Sequence, residues 1–253
     1  MVWHALVRDV AECPSRHRGL FANPCETFAA DSTWVSFPGW PLPRDGAFQA
    51  ELVIVGQGPF DSPRGRLRQG IDASAGARQR LERAWQLVLG GYAGSMFHRL
   101  HMFPLLREVF GSQQLPPERF FFTEAVCCPR TDGSPLPHDV VAQCASLHLQ
   151  PILAQPSVKL ILCLGDDAVL AVTGRYRWEP WKDLHGRVVR RGRQPTLIFA
   201  THPLAKREGG GVAWSRRVRS QLAETLRQEL DRAPIAHFAR PPLARSLEAA
   251  LSP

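Results

Sequence analysis

Residues 51–62 read ELVIVGQGPFDS. Leu52, Val53, Ile54 and Val55 form a short continuous apolar run, the pattern of a buried strand. Two glycines and a proline then stop it. The turn opens like a dinucleotide-binding fingerprint, but Asp61 holds the place of the third glycine and Pro59 breaks the entry into the helix that such a loop needs. No Gly-Lys-Ser/Thr follows, so it is not a Walker A loop either. A plain structural turn and a turn that brings backbone close to a ligand both remain open.

The rest of the chain sets that strand in an alternating pattern. Residues 1–48 are irregular and rich in Pro, Trp and Phe, an arm laid over the main body. A helix is predicted over 74–90, where Leu81, Trp85 and Leu89 recur at helical spacing before two glycines. A short helix or loop covers 100–111, and a second strand 119–126. A helix opens at Pro137, a fully apolar strand spans 158–165, and a short helix spans 166–174. A fourth strand, 196–201, precedes the last helix, and a Pro- and Ala-rich tail occupies 234–253. Strands alternating with helices predict an α/β domain over 49–233: a three-layer α/β/α sandwich with a central, mostly parallel four-stranded sheet. Functional loops of such sheets gather at the carboxyl ends of the strands. Here those ends read GQGPFD, TEAVCC and THPLAKR.

The chain of 253 residues is 44% hydrophobic, enough for a sizeable core. It has no apolar run of membrane-spanning length and no basic leader followed by an apolar stretch, so a membrane partner is not expected and the cytoplasm is the expected compartment. The balance of 31 basic against 23 acidic residues gives a net charge of +8, carried mostly by arginine. That suits a polyanion such as nucleic acid. An Arg-rich codon bias gives the same balance, and charge alone does not separate the two. Six cysteines in a cytoplasmic chain point to metal, cluster or core thiols rather than disulfides.

The three strand ends, taken in order, resemble the uracil-DNA glycosylase superfamily over residues 51–230. Gly56-Gln57-Gly58-Pro59-Phe60 looks like its first motif, and His202-Pro203 with LAKR looks like its His-Pro-Ser motif and DNA-inserting loop. SAGARQRLERAW (74–85) and TEAVCCPR (123–130) resemble segments of the iron–sulfur branch. The resemblance implies an enzyme that flips a nucleotide from DNA and hydrolyses its glycosidic bond; DNA is the expected partner and a monomer the expected state. On it, His202 contacts the base or its oxygen and steadies the charge on the leaving base. Asp61 supplies the carboxylate, since Gly58 stands where the efficient uracil enzymes carry Asp. Gln57 orients water or the base, and Gly56 and Gly58 admit the nucleotide to the backbone.

Two departures bear on the base. Glu124 stands where the uracil enzymes have Asn. A carboxylate faces a uracil carbonyl with like charge, whereas it accepts readily from the exocyclic amine of cytosine. No aromatic residue stands between Asp61 and Trp85, so the family's stacking Phe is missing, which removes about 1–3 kcal/mol of base contact and leaves polar room. Phe60 either replaces that stack or crowds the base. Together these point to a modified cytosine, as in the superfamily's phage-defence branch that acts on glucosylated hydroxymethylcytosine. Uracil repair with an altered pocket is the alternative, and a DNA-binding module without catalysis is a third reading.

The resemblance also implies a cluster. Cys128 and Cys144 have its Cys-x15-Cys spacing, and the arm offers Cys13 and Cys25, spaced Cys-x11-Cys rather than the family's close pair. Four thiolates suit a structural [4Fe–4S] cluster or zinc, with the former expected. Cys127 and Cys163 read as packing residues. For DNA contact, Arg64, Arg66, Arg68, Lys206 and Arg207 would meet phosphates and Leu204 would wedge into the duplex. Arg216, Arg217 and Arg219 on the last helix read as a solvated charged face.

Overall fold

A computed structural model describes residues 39–41, 48–57, 79, 83, 86, 98–127, 136–177, 179–190, 192, 194–203 and 213–232. Its strands are β1 (Leu52–Gly56), β2 (Phe120–Glu124), β3 (Leu160–Leu164), β4 (Val188–Val189) and β5 (Thr196–Ala200). The helices are α1 (Phe103–Phe110), α2 (His138–Cys144), α3 (Gln150–Leu153), α4 (Asp166–Thr173), α5 (Trp181–Leu184) and α6 (Arg216–Arg232). Gln79, Arg83 and Gln86 are also helical and exposed, as the helix expected over 74–90 requires.

The sheet runs β2-β1-β3-β5-β4. The first four of these strands are parallel to their neighbours, and β4 joins β5 antiparallel. The sheet therefore has five strands among the described residues where four were expected. β4 was hidden because it is two half-buried valines followed by Arg190, too short to make an apolar run. α5 was unforeseen for the same reason: one turn gives no period to read.

Strict alternation along the strands builds two cores. Val53, Val55, Phe121, Ile161, Cys163, Leu197 and Phe199 point to one face, where Val140, Val141, Leu149, Ile152, Val169 and Leu170 from α2 to α4 cover them. Leu52, Ile54, Phe120, Phe122, Leu160, Leu162 and Ile198 point to the other, against Leu105, Leu106 and Val109 of α1 and Leu222, Leu226 and Leu230 of α6. This is the three-layer sandwich, and it explains why β1 and β3 read as unbroken apolar runs: neither face meets water. Cys163 is buried within the first core and Cys127 is buried too, as packing residues should be.

Two π turns interrupt the helices, His98–Met102 before α1 and Ala145–Leu149 before α3. Each runs into a proline, Pro104 or Pro151, near the start of the next helix. A proline lacks the N–H for an i→i−4 bond and its ring crowds the preceding turn, so a widened turn is the local solution. α6 is held to α1 by Arg219, whose Nε lies 2.9 Å from Glu108 Oε1. It is held to β4 by the Arg190 guanidinium, which grips the buried Glu229 carboxylate at 2.9 and 2.5 Å. Arg219 is thus engaged within the fold, while Arg216 and Arg217 are exposed. At the N-terminal side, Trp40 exchanges two backbone hydrogen bonds with Phe122, of 2.8 and 2.6 Å, along the outer edge of β2. No helix among the described residues is long and apolar enough to cross a membrane.

Candidate active site

The strand order creates the site. From β1 the chain crosses outward to β2, and from β3 it crosses the other way to β5. Adjacent strands whose connections diverge leave a crevice at their carboxyl ends, the usual place for a ligand in an open α/β sheet. Four strand ends open onto it: β1 passes to Gln57, β2 ends at Glu124, β3 passes through Gly165 to α4, and β5 passes through Thr201 to His202.

The parallel register sets Glu124 beside Gly56. A Cβ at Gly56 would overlap Oε2 of the Glu124 carboxylate and stand 3.0 Å from its Cδ. The first demand on this glycine therefore comes from within the protein: it makes room for a carboxylate over the end of β1. Beyond the ladder, Ala125 N–H donates to Gly56 O at 2.9 Å and Val126 N–H to Gln57 O at 3.3 Å. The backbone of Gln57 is thereby tied to the β2 side, while its side-chain amide Nε2 donates to Oδ2 of Asp167 on α4.

On the β5 side, Gly165 has a φ of 88°, which a side chain rarely adopts, and a Cβ there would stand 3.5 Å from His202 Cβ. The strand ends of β3 and β5 thus bring Asp167 and His202 to the same crevice. Thr201, the residue before His202, is held from two directions. Trp214 Nε1 donates to its carbonyl oxygen at 2.9 Å. Its N–H donates to His185 Nδ1 at 3.2 Å, so a neutral His185 carries its proton on Nε2. The rings of His101 and His185 both stand edge-on to Trp214, each with centroids 6.0 Å away.

This surrounding keeps the histidines neutral. Burial pushes His202 down to about 4, and repulsion from His101 adds to the shift. Burial, with the Arg219 charge behind it, also lowers His101, and burial lowers His185. At neutral pH His202 is an uncharged imidazole that can donate one hydrogen bond without bringing a positive charge.

Of the residues expected from sequence, Gly56, Gln57, Glu124 and His202 come together at the crevice. Gly58, Phe60, Asp61, Arg64, Arg66, Arg68, Leu204, Lys206 and Arg207 lie outside the described residues, as do Cys13, Cys25 and Cys128. Cys144 closes α2, and its Sγ accepts the Cys127 N–H at 3.3 Å. Among the described residues no group of three or more His, Cys, Asp or Glu is placed to hold a metal ion. Sequence reasoning missed Asp167, His101, His185 and Trp214. The pair of aspartates that follows the glycine at the end of β3 was the available signal for Asp167. The other three have no motif, because packing alone brings them to β5.

A model of the uracil DNA glycosylase superfamily matches residues 43–222, the span that holds all four parallel strands and the crevice. No curated protein matches the chain.

Proposed function

The chain belongs to the uracil DNA glycosylase superfamily, and on that premise we propose that it is a DNA N-glycosylase that excises a modified cytosine, such as glucosylated hydroxymethylcytosine of phage DNA, in antiviral defence. The observation that carries the choice of base is the Glu124 carboxylate seated against Gly56 at the end of β1. There it can accept from the exocyclic amine of a flipped cytosine. In the reaction the C1′–N bond breaks and its electron pair leaves with the base. Positive charge spreads over the sugar, as in other glycoside hydrolyses. Water oxygen adds to C1′, and the water proton passes to the departing base. Neutral His202 donates to the base as negative charge grows on it, a stabilisation that strengthens toward the transition state.

The test is base release. The purified protein is incubated with duplexes carrying glucosylated hydroxymethylcytosine, hydroxymethylcytosine, cytosine or uracil. Released bases are identified by mass spectrometry and abasic sites by alkaline cleavage. Release from the glucosylated DNA with little from uracil DNA is expected. Release from uracil DNA alone removes the cytosine reading, and release from none removes catalysis.

A structural [4Fe–4S] cluster belongs to the same proposal. Cys144 is compatible with a ligand role, since its Sγ accepts the Cys127 N–H and backbone N–H groups commonly hydrogen-bond to cluster sulfurs. With Cys13, Cys25 and Cys128 it would pin the N-terminal segment to the body. The cluster would supply structure, with no part in base release. Anaerobically purified protein is expected to contain bound iron and sulfide and to absorb in the visible range, and Cys144→Ala to lose both iron and thermal stability. Full-length protein free of iron after anaerobic purification would rule the cluster out.

A further inference from the structure

Gln57 is the first residue beyond β1, and Asp167 is the second residue of α4, beyond β3. The hydrogen bond from Gln57 Nε2 to Asp167 Oδ2 therefore spans the mouth of the crevice. Its chemistry is one-sided. A carboxylate offers acceptors only, so it fixes which edge of the amide faces α4: the nitrogen. Oxygen and nitrogen are nearly alike in size, and without such a partner an amide turns over at little cost. With the nitrogen committed to Asp167, the carbonyl oxygen Oε1 is the acceptor that the amide offers to the crevice. The backbone of Gln57 is fixed from the other side through Val126.

We propose that Asp167 is a positioning residue for the reaction: it holds Gln57 so that the amide oxygen accepts a hydrogen bond from the water that attacks the sugar. The proposal rests on the glycosylase reading above. An amide oxygen removes no proton. It aligns the water, one lone pair toward C1′, and an oxocarbenium-like sugar needs little more than a well-placed nucleophile. Among the described residues, Glu124 and Asp167 then take different tasks. One faces the base, and the other acts through Gln57 on the water.

A double-mutant cycle tests this, using single-turnover rates of the full-length protein on the DNA that the wild type cleaves best. Gln57→Ala and Asp167→Ala are each expected to slow base release about 10- to 100-fold. The double variant should be no slower than Gln57→Ala, because Asp167 acts through the amide. DNA affinity should stay within about twofold throughout, since neither side chain is assigned to the phosphates. Asp167→Asn should fall between wild type and Asp167→Ala, because its amide oxygen can take the same N–H but its NH2 can equally donate to Gln57 Oε1 and so no longer fixes which edge faces α4. Asp167→Leu, which matches the side chain in length and offers no acceptor, replaces the alanine variant if circular dichroism finds that one unfolded. An Asp167→Ala or Asp167→Leu rate equal to wild type, or losses that multiply in the double variant, would overturn the proposal alone. A wild type that releases no base from any DNA removes the glycosylase reading, and this proposal with it.

Discussion

His202→Ala is expected to lower the single-turnover rate of base release about 10²- to 10³-fold, the usual loss when one donor to a developing anion is removed. Affinity for DNA should hardly change, because the bond matters when charge has moved onto the base and much less before. Partial burial keeps the ring uncharged, so on the proposed reading it would donate without carrying a positive charge to the base. Thr201, gripped by Trp214 and His185, fixes the backbone from which it projects. An alanine variant within threefold of wild type would sink this role. The same variant has a signature in stability. A histidine in the unfolded chain takes up its proton near 6.5, whereas His202 in the fold does so at about 4. Between those values the unfolded chain binds more protons. The unfolding free energy must therefore fall as pH drops from about 6.5 to about 4, and it is fully present above that window. Urea unfolding of His202→Ala across the window should show a shallower dependence than wild type. Equal slopes would mean that the ring does not titrate as its burial dictates.

Glu124→Asn is expected to exchange the preferred base. On the proposed reading the wild-type carboxylate would repel a uracil carbonyl and accept from a cytosine amine, whereas Asn can donate to the carbonyl. The ratio of rates on cytosine-type over uracil DNA should fall about 100-fold or more, given that one well-made base contact is worth about 1–3 kcal/mol of discrimination and that the wild type also carries a repulsion the variant lacks. Competition between the two DNAs in one reaction reads the ratio directly. Gly56→Ala should shift it in the same direction, because the added methyl takes the place of the carboxylate. A ratio that does not move in either variant would remove Glu124 from base recognition.

Much of this was legible in the chain because the sheet is covered on both faces. A buried parallel strand must be apolar at every position, so β1 and β3 announce themselves, and the residues that follow them are placed at the crevice by topology alone. The ends of β1, β2 and β5 were found for that reason, and with them Gln57, Glu124 and His202. β4 escaped because two half-buried valines give no period. The neighbourhood of His202 escaped for a different reason. His101 arrives on a π turn, His185 from the turn after α5 and Trp214 from the approach to α6, at sequence distances of 101, 17 and 12 residues or so from His202. Their meeting depends on how three separate elements pack, which no local pattern encodes. Asp167 lies between these cases: its position beyond β3 was readable, but its hydrogen bond to Gln57 needed the sheet order.

The Trp40 bridge and the shortness of β4 bear on how copies of the protein behave toward one another. A long bare strand edge is a template on which another chain can add a strand, and natural sheets blunt such edges. Here one edge is only two residues long and continues into Arg190, whose guanidinium is turned onto α6. The other is occupied at its midpoint, where Phe122 has both backbone groups committed to Trp40. A sheet this apolar would otherwise be prone to stack end on end at high concentration. Among the described residues its two margins carry a tryptophan and an arginine, and the strand ends remain to face a ligand.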